Sequence, residues 1–470
     1  MFGPYPDYRL TDLKWFEYLP ESWAILRTKQ MFRLVIEKAP ANNQMELLSV
    51  YTHIGVRPRK SLEQRGNKAS TTDGYWVVKE GDIICNKLLA WMGAIGASHY
   101  QGVTSPAYDI LRPIKSCNTD YYHFLFRTKK YLQQFKIRSR GIMDMRLRLY
   151  FDQFGQIPIP VPPRPEQDQI VAYLRVQDAH IARFIKTKRD LIKLLTEQKL
   201  RIIDLAVTRG LDAAVALKPS GIEWLGEVPE HWEVAFIKHI ANVRFSGVDK
   251  HSHDDETPVR LCNYTDVYKN DRITGDMDLM RATATTAEIV RLTLKSGDVI
   301  LTKDSETPDD IGVPAWVPED LPGVVCAYHL GLLRPEPDRV LGEFLFRAIG
   351  SARTAQQFHV LATGVTRFAL GKHDVKNAVI ALPPVEEQKA ICRWITDECQ
   401  PLDDAIARTE DEIKLIREYR DRLIADVVTG QVDVRGWQPS PEDVVDDAAL
   451  AALGDDPDDV TEEEDVDGED

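Results

Sequence analysis

Pro162-Pro163-Arg164-Pro165-Glu166-Gln167 returns as Pro383-Pro384-Val385-Glu386-Glu387-Gln388, 221 residues further along. Held at that offset, the alignment continues without a gap to Val207-Thr208 and Val428-Thr429, with 15 identities in 47 positions. Average composition would give roughly three. Ile170, Ile185 and Ile192 meet Ile391, Ile406 and Ile413, and Glu197 and Arg201 meet Glu418 and Arg422. The chain is therefore internally duplicated, and the repeat organises everything else in it.

The repeat reaches upstream. Trp15, Pro20-Glu21 and Trp23 match Trp224, Pro229-Glu230 and Trp232. Gly81-Asp82-Ile83-Ile84 echoes Gly297-Asp298-Val299-Ile300, and Leu111-Arg112-Pro113 echoes Leu333-Arg334-Pro335. Phe124-Leu125-Phe126-Arg127 returns as Phe344-Leu345-Phe346-Arg347. The offset drifts between these matches, so loops differ in length between the copies. The order is globular segment, helix, globular segment, helix, acidic tail.

Each segment behind the Pro-Pro pair reads as a long helix. Proline suits a first helical turn, and Glu166 suits the positive end of the helix dipole. Ile181, Ile185, Lys188, Ile192, Leu195, Lys199 and Ile202 follow alternating four- and three-residue steps. The copy places Leu402, Ile406, Thr409, Ile413, Ile416, Arg420 and Leu423 at the same register. That is a heptad seam, and we expect the two helices to pair as an antiparallel coiled coil. Gly210 and Gly430 mark their ends. A helix of ~40 residues is ~60 Å long, about 17 base pairs of duplex.

The remaining segments read as α/β mixtures with many short strands, bounded by Gly, Asp, Asn and Pro. Expected strands are 46–51, 75–78, 82–85, 259–263 and 298–302; expected helices are 121–136 and 342–358. The fold class is α/β (α+β), with two copies of a mixed, mostly antiparallel sheet domain separated by the helices. The expected divisions are 1–160, 161–215, 216–381, 382–436 and a disordered tail at 437–470.

The chain has 470 residues and a net charge of -14. Fifteen acids and no bases lie between Pro441 and Asp470, which leaves 58 acids against 59 bases in the first 440 residues. The body is thus neutral, and its overall charge does not exclude a nucleic-acid partner. No apolar run approaches the ~20 residues of a membrane helix, and Met1–Leu10 does not read as a signal peptide. Six cysteines without a C-x-x-C pair suit a reduced, cytoplasmic protein and give no zinc site.

Basic and polar loops recur at corresponding places. The first copy has Arg57, Arg59 and Lys60, then Asn86-Lys87, then Arg138, Arg140 and Arg146. The second has Asn263-Tyr264 with Lys269 and Arg272, then Lys303, then Thr363-Gly364 with Thr366-Arg367. Arg and Asn read base edges bidentately, while Lys, Arg, Ser and Thr hold phosphates. Phosphate-binding and dinucleotide-binding loops, zinc-protease motifs and nucleophile elbows are missing. Asp304, Glu306, Asp309 and Asp310 resemble a metal-nuclease loop only in composition, and read as a solvated acidic loop.

With these residues in view, the chain resembles the specificity subunit of a type I restriction–modification enzyme. The match rests on Trp224 with Pro229-Glu230-His231-Trp232, and on Gly364-Val365-Thr366 before Asp374-Val375-Lys376-Asn377. It rests also on Ile380-Ala381-Leu382-Pro383-Pro384 with Glu386-Glu387-Gln388, and on the closing Ala425 to Arg435 stretch. The first half carries Ile157-Pro158-Ile159-Pro160-Val161-Pro162-Pro163 with Glu166-Gln167. The resemblance implies two target recognition domains, each reading one half of a bipartite, asymmetric site in double-stranded DNA. It implies that Ile181, Ile185, Ile192, Leu195 and Ile202, with Leu402, Ile406, Ile413, Ile416 and Leu423, form the spacer. That spacer also docks two modification subunits, adenine methyltransferases.

No catalytic residue, metal or cofactor is then expected on this chain. S-adenosylmethionine belongs to the modification subunit; ATP and Mg belong to restriction subunits, which join through the modification core. No membrane is involved. The first copy departs from the pattern, with Gly141-Ile142-Met143-Asp144 where a Gly-Thr-Thr type loop is expected, and the acidic tail lies outside it. Two alternatives are kept: a stand-alone metal-dependent nuclease built on Asp304 to Asp310, and a protein scaffold that does not touch DNA.

Overall fold

The computed structural model describes residues 3–13, 15–52, 54–59, 72–141, 147–445 and 450. Two long helices dominate, Arg164–Arg209 and Val385–Val428. The chain divides into two compact units. The first joins Met1–Asp190 to Thr409–Asp470; the second is Leu191–Arg408. Each unit thus holds one globular segment, part of the helix that follows it and part of the other long helix.

The predicted seam is the less exposed side of both helices. Ile181 and Ile185 are buried, and Ile192, Leu195, Ile202, Leu402, Ile406, Ile413, Ile416 and Leu423 are half-buried. The polar seam positions have partners. In the first unit Arg420 grips Asp178 with two bonds of 2.7 and 2.9 Å, and Lys188 meets Glu412 at 2.5 Å. Residue numbers rise on one helix as they fall on the other, so the pair is antiparallel. In the second unit Lys199 bonds Asp403 at 2.8 Å. A polar residue at a seam position disfavours any register that leaves it unpaired.

The globular segments share one sheet topology. The first has an antiparallel sheet in the order Phe32–Val35, Tyr108–Pro113, Ile83–Asn86, Ile95–Ala97. The second repeats it as Ala241–Phe245, Leu330–Pro335, Val299–Thr302, Pro314–Trp316. The weak Gly-Asp and Leu-Arg-Pro echoes are the two halves of one interaction. Arg112 binds Asp82 bidentately at 2.9 and 2.7 Å, and Arg334 binds Asp298 at 2.8 and 2.7 Å. Both aspartates are buried, so each needs its fork of donors. The second unit adds a parallel pair, Thr257–Cys262 with Val324–Cys326, and its sheets are therefore mixed.

The expected helices 121–136 and 342–358 are each two helices. Thr119–Phe126 is followed by Lys129–Arg138, and Gly342–Gly350 by Ala352–Leu361. In the second copy Ser351 starts a new helix, its hydroxyl accepting from the Thr354 N–H. Apolar periodicity carries across such a break, which is why the pattern reads as one helix.

The duplicated Pro-Pro…Glu-Gln motif is a joint. Glu166 accepts from the Trp23 indole at 2.9 Å and from the Tyr5 hydroxyl at 2.6 Å. Glu387 accepts from the Trp232 indole at 3.1 Å and pairs with His231 at 2.8 Å. Gln167 donates to Pro162 and accepts from Asn118; Gln388 donates to Pro383 and accepts from Leu341. The partner helix closes each joint with its terminal glycine. Gly430 lies where a Cβ would come within 2.5 Å of Pro20, and Gly210 where one would come within 3.2 Å of Trp232. Both are left-handed, at φ +72° and +75°. So the helix that leaves one globular segment ends against the tryptophan of the other copy.

Residues 437–445, counted in sequence with the tail, lie along the first long helix. Trp437 packs edge-on against Tyr173 at 5.5 Å, Asp443 pairs with His180 at 3.2 Å, and Arg183 donates to the Val444 carbonyl at 3.2 Å. Most of the acidic tail, 446–449 and 451–470, lies outside the described residues.

Candidate nucleic-acid interface

In the second unit, Thr363–Gly364 and Phe368–Ala369 form a hairpin with a three-residue tip. A third short strand, Asp304–Ser305, pairs with it. The Leu370 N–H donates to the Lys303 carbonyl at 2.8 Å, which hangs the hairpin from the end of a core strand. Lys303 bonds Asp304 at 3.1 Å and lies over the Tyr328 ring at 4.5 Å. Arg367 is exposed, with Nη2 3.4 Å from His329 Nδ1, and His329 pairs with Asp304 at 2.7 Å.

Tyr264 stacks on Tyr268, ring centroids 5.6 Å apart, and the Tyr268 hydroxyl donates to Asp310 at 2.9 Å. Burial, followed by the charge of Asp310, pushes the Tyr264 hydroxyl up, so it stays a neutral donor. Thr363, Gly364, Thr366, Arg367, Lys303 and Tyr264 therefore gather in one place. Exposed aromatic faces, hydroxyls, a lysine and an arginine can hold phosphates and base edges together.

The acidic loop is solvated at Glu306 and Asp309, which are exposed, and engaged at Asp304 and Asp310. Asp304 is largely buried, with Lys303 at 3.1 Å and His329 at 2.7 Å, and Asp310 accepts from the Tyr268 hydroxyl. Among the described residues no group of three His, Cys, Asp or Glu could hold a metal ion. Asp304 and Asp310 position basic and aromatic side chains.

The first unit closes a loop with a backbone bridge at the corresponding place. Arg140 and Arg148 exchange both backbone bonds, at 3.0 Å each, as Thr363 and Ala369 pair in the second. The Leu149 N–H donates to the Lys87 carbonyl at 2.9 Å, the counterpart of Leu370 on Lys303. The intervening tip is two residues longer. Its residues 142–146, including Arg146, lie outside the described residues, as does Lys60.

Arg140 is exposed and pairs with Asp152 at 2.9 Å. Arg138 lies over the Trp15 ring at 5.5 Å. Lys87 donates to the Pro106 carbonyl at 3.0 Å. Arg57 and Arg59 are half-buried on and beside the Leu48–Tyr51/Gly55–Pro58 hairpin. That hairpin is tied down by Arg127, whose guanidinium donates to the Thr52 carbonyl at 2.5 Å and to Gly93 at 2.8 Å. Burial lowers the Arg127 pKa to about 10.

Other candidates sit apart from the hairpins or serve the scaffold. Lys269 is exposed at the end of the Tyr264–Lys269 helix, and Arg272 lies over Trp316 at 5.5 Å. Asn86 and Asn263 are buried. Asn86 accepts from the Leu88 N–H at 3.0 Å, and Asn263 donates to the Leu261 carbonyl at 3.3 Å. His329 and Tyr328 were missed by reading the chain, because only strand pairing brings them to the hairpin.

A family model described as type I restriction modification DNA specificity domain matches residues 20–194 and 229–415. The chain belongs to this family of type I restriction–modification specificity subunits. It is similar to the MjaVIII specificity subunit of Methanocaldococcus jannaschii, 24% identical over 429 residues, covering 89% of this chain and 94% of that one. It is similar also to the EcoBI specificity subunit of Escherichia coli, 23% identical over 309 residues, covering 63% and 62%. A chain solved in a study of assembly and conformational transition of the type I R-M system matches with a TM-score of 0.59 at 14% identity, covering 88% and 99%. At that identity the likeness concerns the fold.

As a specificity subunit the chain is a non-catalytic, DNA-recognising component, whose partners are DNA and the methyltransferase and restriction subunits. Among the described residues no helix is long and apolar enough to cross a membrane.

Proposed function

We propose that each globular segment reads one half of a bipartite, asymmetric DNA site, and that the paired helices set the distance between the halves. The observation that carries this is the backbone pairing tied to Lys87 in one unit, through Leu149, and to Lys303 in the other, through Leu370. The same scaffold presents different side chains twice, which suits two different half-sites. A helix of 46 residues is about 69 Å long, a length matched to about 20 base pairs.

In this reading the helices also dock two modification subunits. Exposed Phe184, Leu191, Leu194, Leu200, Leu205 and Leu415 on the helices support it, since exposed apolar side chains suit a protein partner. S-adenosylmethionine is carried by the modification subunit, ATP and Mg by the restriction subunit, and the complex works in the cytoplasm.

Methylome sequencing of a host carrying this chain with its modification partner tests the reading. Methylated adenines in one bipartite motif are expected. Inserting four residues after Thr196 should lengthen the spacer of that motif and leave both halves unchanged. Methylation confined to the original spacing, by a folded insertion variant, would sink the ruler.

A further inference from the structure

Val365 is 92% exposed, the highest fraction among the described large apolar side chains. It stands at the hairpin tip, between Gly364 and the polar pair Thr366-Arg367. A solvated valine there gains nothing for folding, because its side chain leaves no water behind. The tip that carries it is nevertheless tightly built. Gly364 has φ +157°, and a Cβ on it would lie 2.0 Å from the Arg367 carbonyl oxygen. The strands beneath are held by Asp304–Ser305 and by the bond from Leu370 to Lys303. Valine adds its own stiffness, since branching at Cβ restricts χ1.

The shape of the element selects a groove. Two paired strands lie ~4.8 Å apart before side chains are added. The major groove, ~12 Å wide, admits a two-stranded ribbon; the minor groove, ~6 Å wide, does not. The apolar feature of the major groove is the 5-methyl group of thymine. The side chains that wedge between base steps are Phe, Leu, Ile, Met and Pro, whereas a valine suits contact with a surface methyl. Thr366 and Arg367, with Lys303 and Tyr328 behind them, supply phosphate and base-edge contacts on either side.

We propose that Val365 determines specificity by packing on the 5-methyl group of one thymine in the half-site read by the second unit. The proposal rests on the DNA-reading function above and names one contact within it. The test uses the complete complex with its modification subunits and duplexes carrying the methylome-derived motif. Each thymine is replaced singly by uracil, which removes the methyl and keeps every hydrogen-bonding group.

One replacement, in one half-site, should weaken binding about fourfold, the worth of a buried methyl. Val365→Ala should weaken the thymine duplex to a similar degree and be indifferent to uracil at that position, because the two changes remove the same contact. Val365 is exposed, so the variant keeps the fold, which circular dichroism verifies. If every uracil duplex binds within twofold of the parent, or if Val365→Ala weakens thymine and uracil duplexes equally, the contact does not exist. If the wild-type complex binds no bipartite motif, the sequence-reading function itself fails. Binding that survives Val365→Ala but collapses with Arg367→Ala, with no uracil effect, overturns only the methyl contact.

Discussion

The two units answer the same structural demands with different residues. Each must seat a long helix on a tryptophan, and each uses a glutamate from the start of the helix. In the first, Glu166 is buried and shared by Trp23 and Tyr5; in the second, Glu387 is part-exposed and shared by Trp232 and His231. The Phe-Leu-Phe-Arg copies diverge further. Arg347 pairs with Glu343 one turn earlier at 2.7 Å, whereas Arg127 is surrounded by backbone carbonyls and His123 stands where Glu343 does. Burial, followed by the charge of Arg127, lowers the His123 pKa to about 3, so that ring stays neutral. The frame is kept while its charges are redistributed, which lets the presented loops diverge without loss of the scaffold.

The shared part should be the most costly to break. Trp23→Ala and Trp232→Ala each remove a fully buried indole, and each should cost about 3–5 kcal/mol. Hydrogen exchange should report the loss inside the corresponding unit; equal loss in both units from either variant would refute separate joints.

The seam distinguishes the units more finely. Asp178 is buried against a half-buried Arg420, so Asp178→Ala leaves that guanidinium unpaired and should cost about 3 kcal/mol in urea unfolding. Asp403, half-exposed beside Lys199, should cost about 0–1 kcal/mol when changed to Ala. Comparable losses at the two positions would contradict the difference in burial.

An effect of comparable size to that of Asp403 is expected on acid stability. His123 has a folded-state pKa below its unfolded value, so the unfolded chain binds more protons as pH falls below ~6.5. Its contribution is complete above that pH and declines towards pH 3. Between pH 6.5 and 5.5 the first unit should lose about 1 kcal/mol that a His123→Gln variant does not lose. The neighbouring His99–Asp120 pair acts in the opposite direction, since its hydrogen bond raises His99. Arg127, Arg420, Asp120 and His99 face His123 and are unchanged in both proteins, so the difference isolates one ring. Parallel pH profiles would show that His123 is not buried neutral.

Much of the fold was legible because it rests on local rules. The heptad seam follows from the 3.6-residue helix, and the polar seam residues Lys188, Lys199 and Arg420 are those that pair across it. The split at Ser351 was not legible, because apolar spacing continues through it while one hydroxyl starts a new helix. The interface was legible only in part. Arg367 and Lys303 stood out by composition, but Asn86 and Asn263 look like readers and are a buried strand end and a buried helix N-cap. His329 and Asp304 acquire meaning from a strand pairing that no local pattern encodes.

By itself the sequence determined the duplication, the two long helices with their register, and the absence of the catalytic motifs sought. Those features are periodic or repeated, and so survive without coordinates. Tertiary structure alone decided that each helix ends on the tryptophan of the other copy, and that both units tie a paired segment to equivalent lysines. The physical reason is that these arrangements depend on burial and strand pairing between segments far apart in the chain. A glutamate can be seen to recur, but only packing shows which indole it holds.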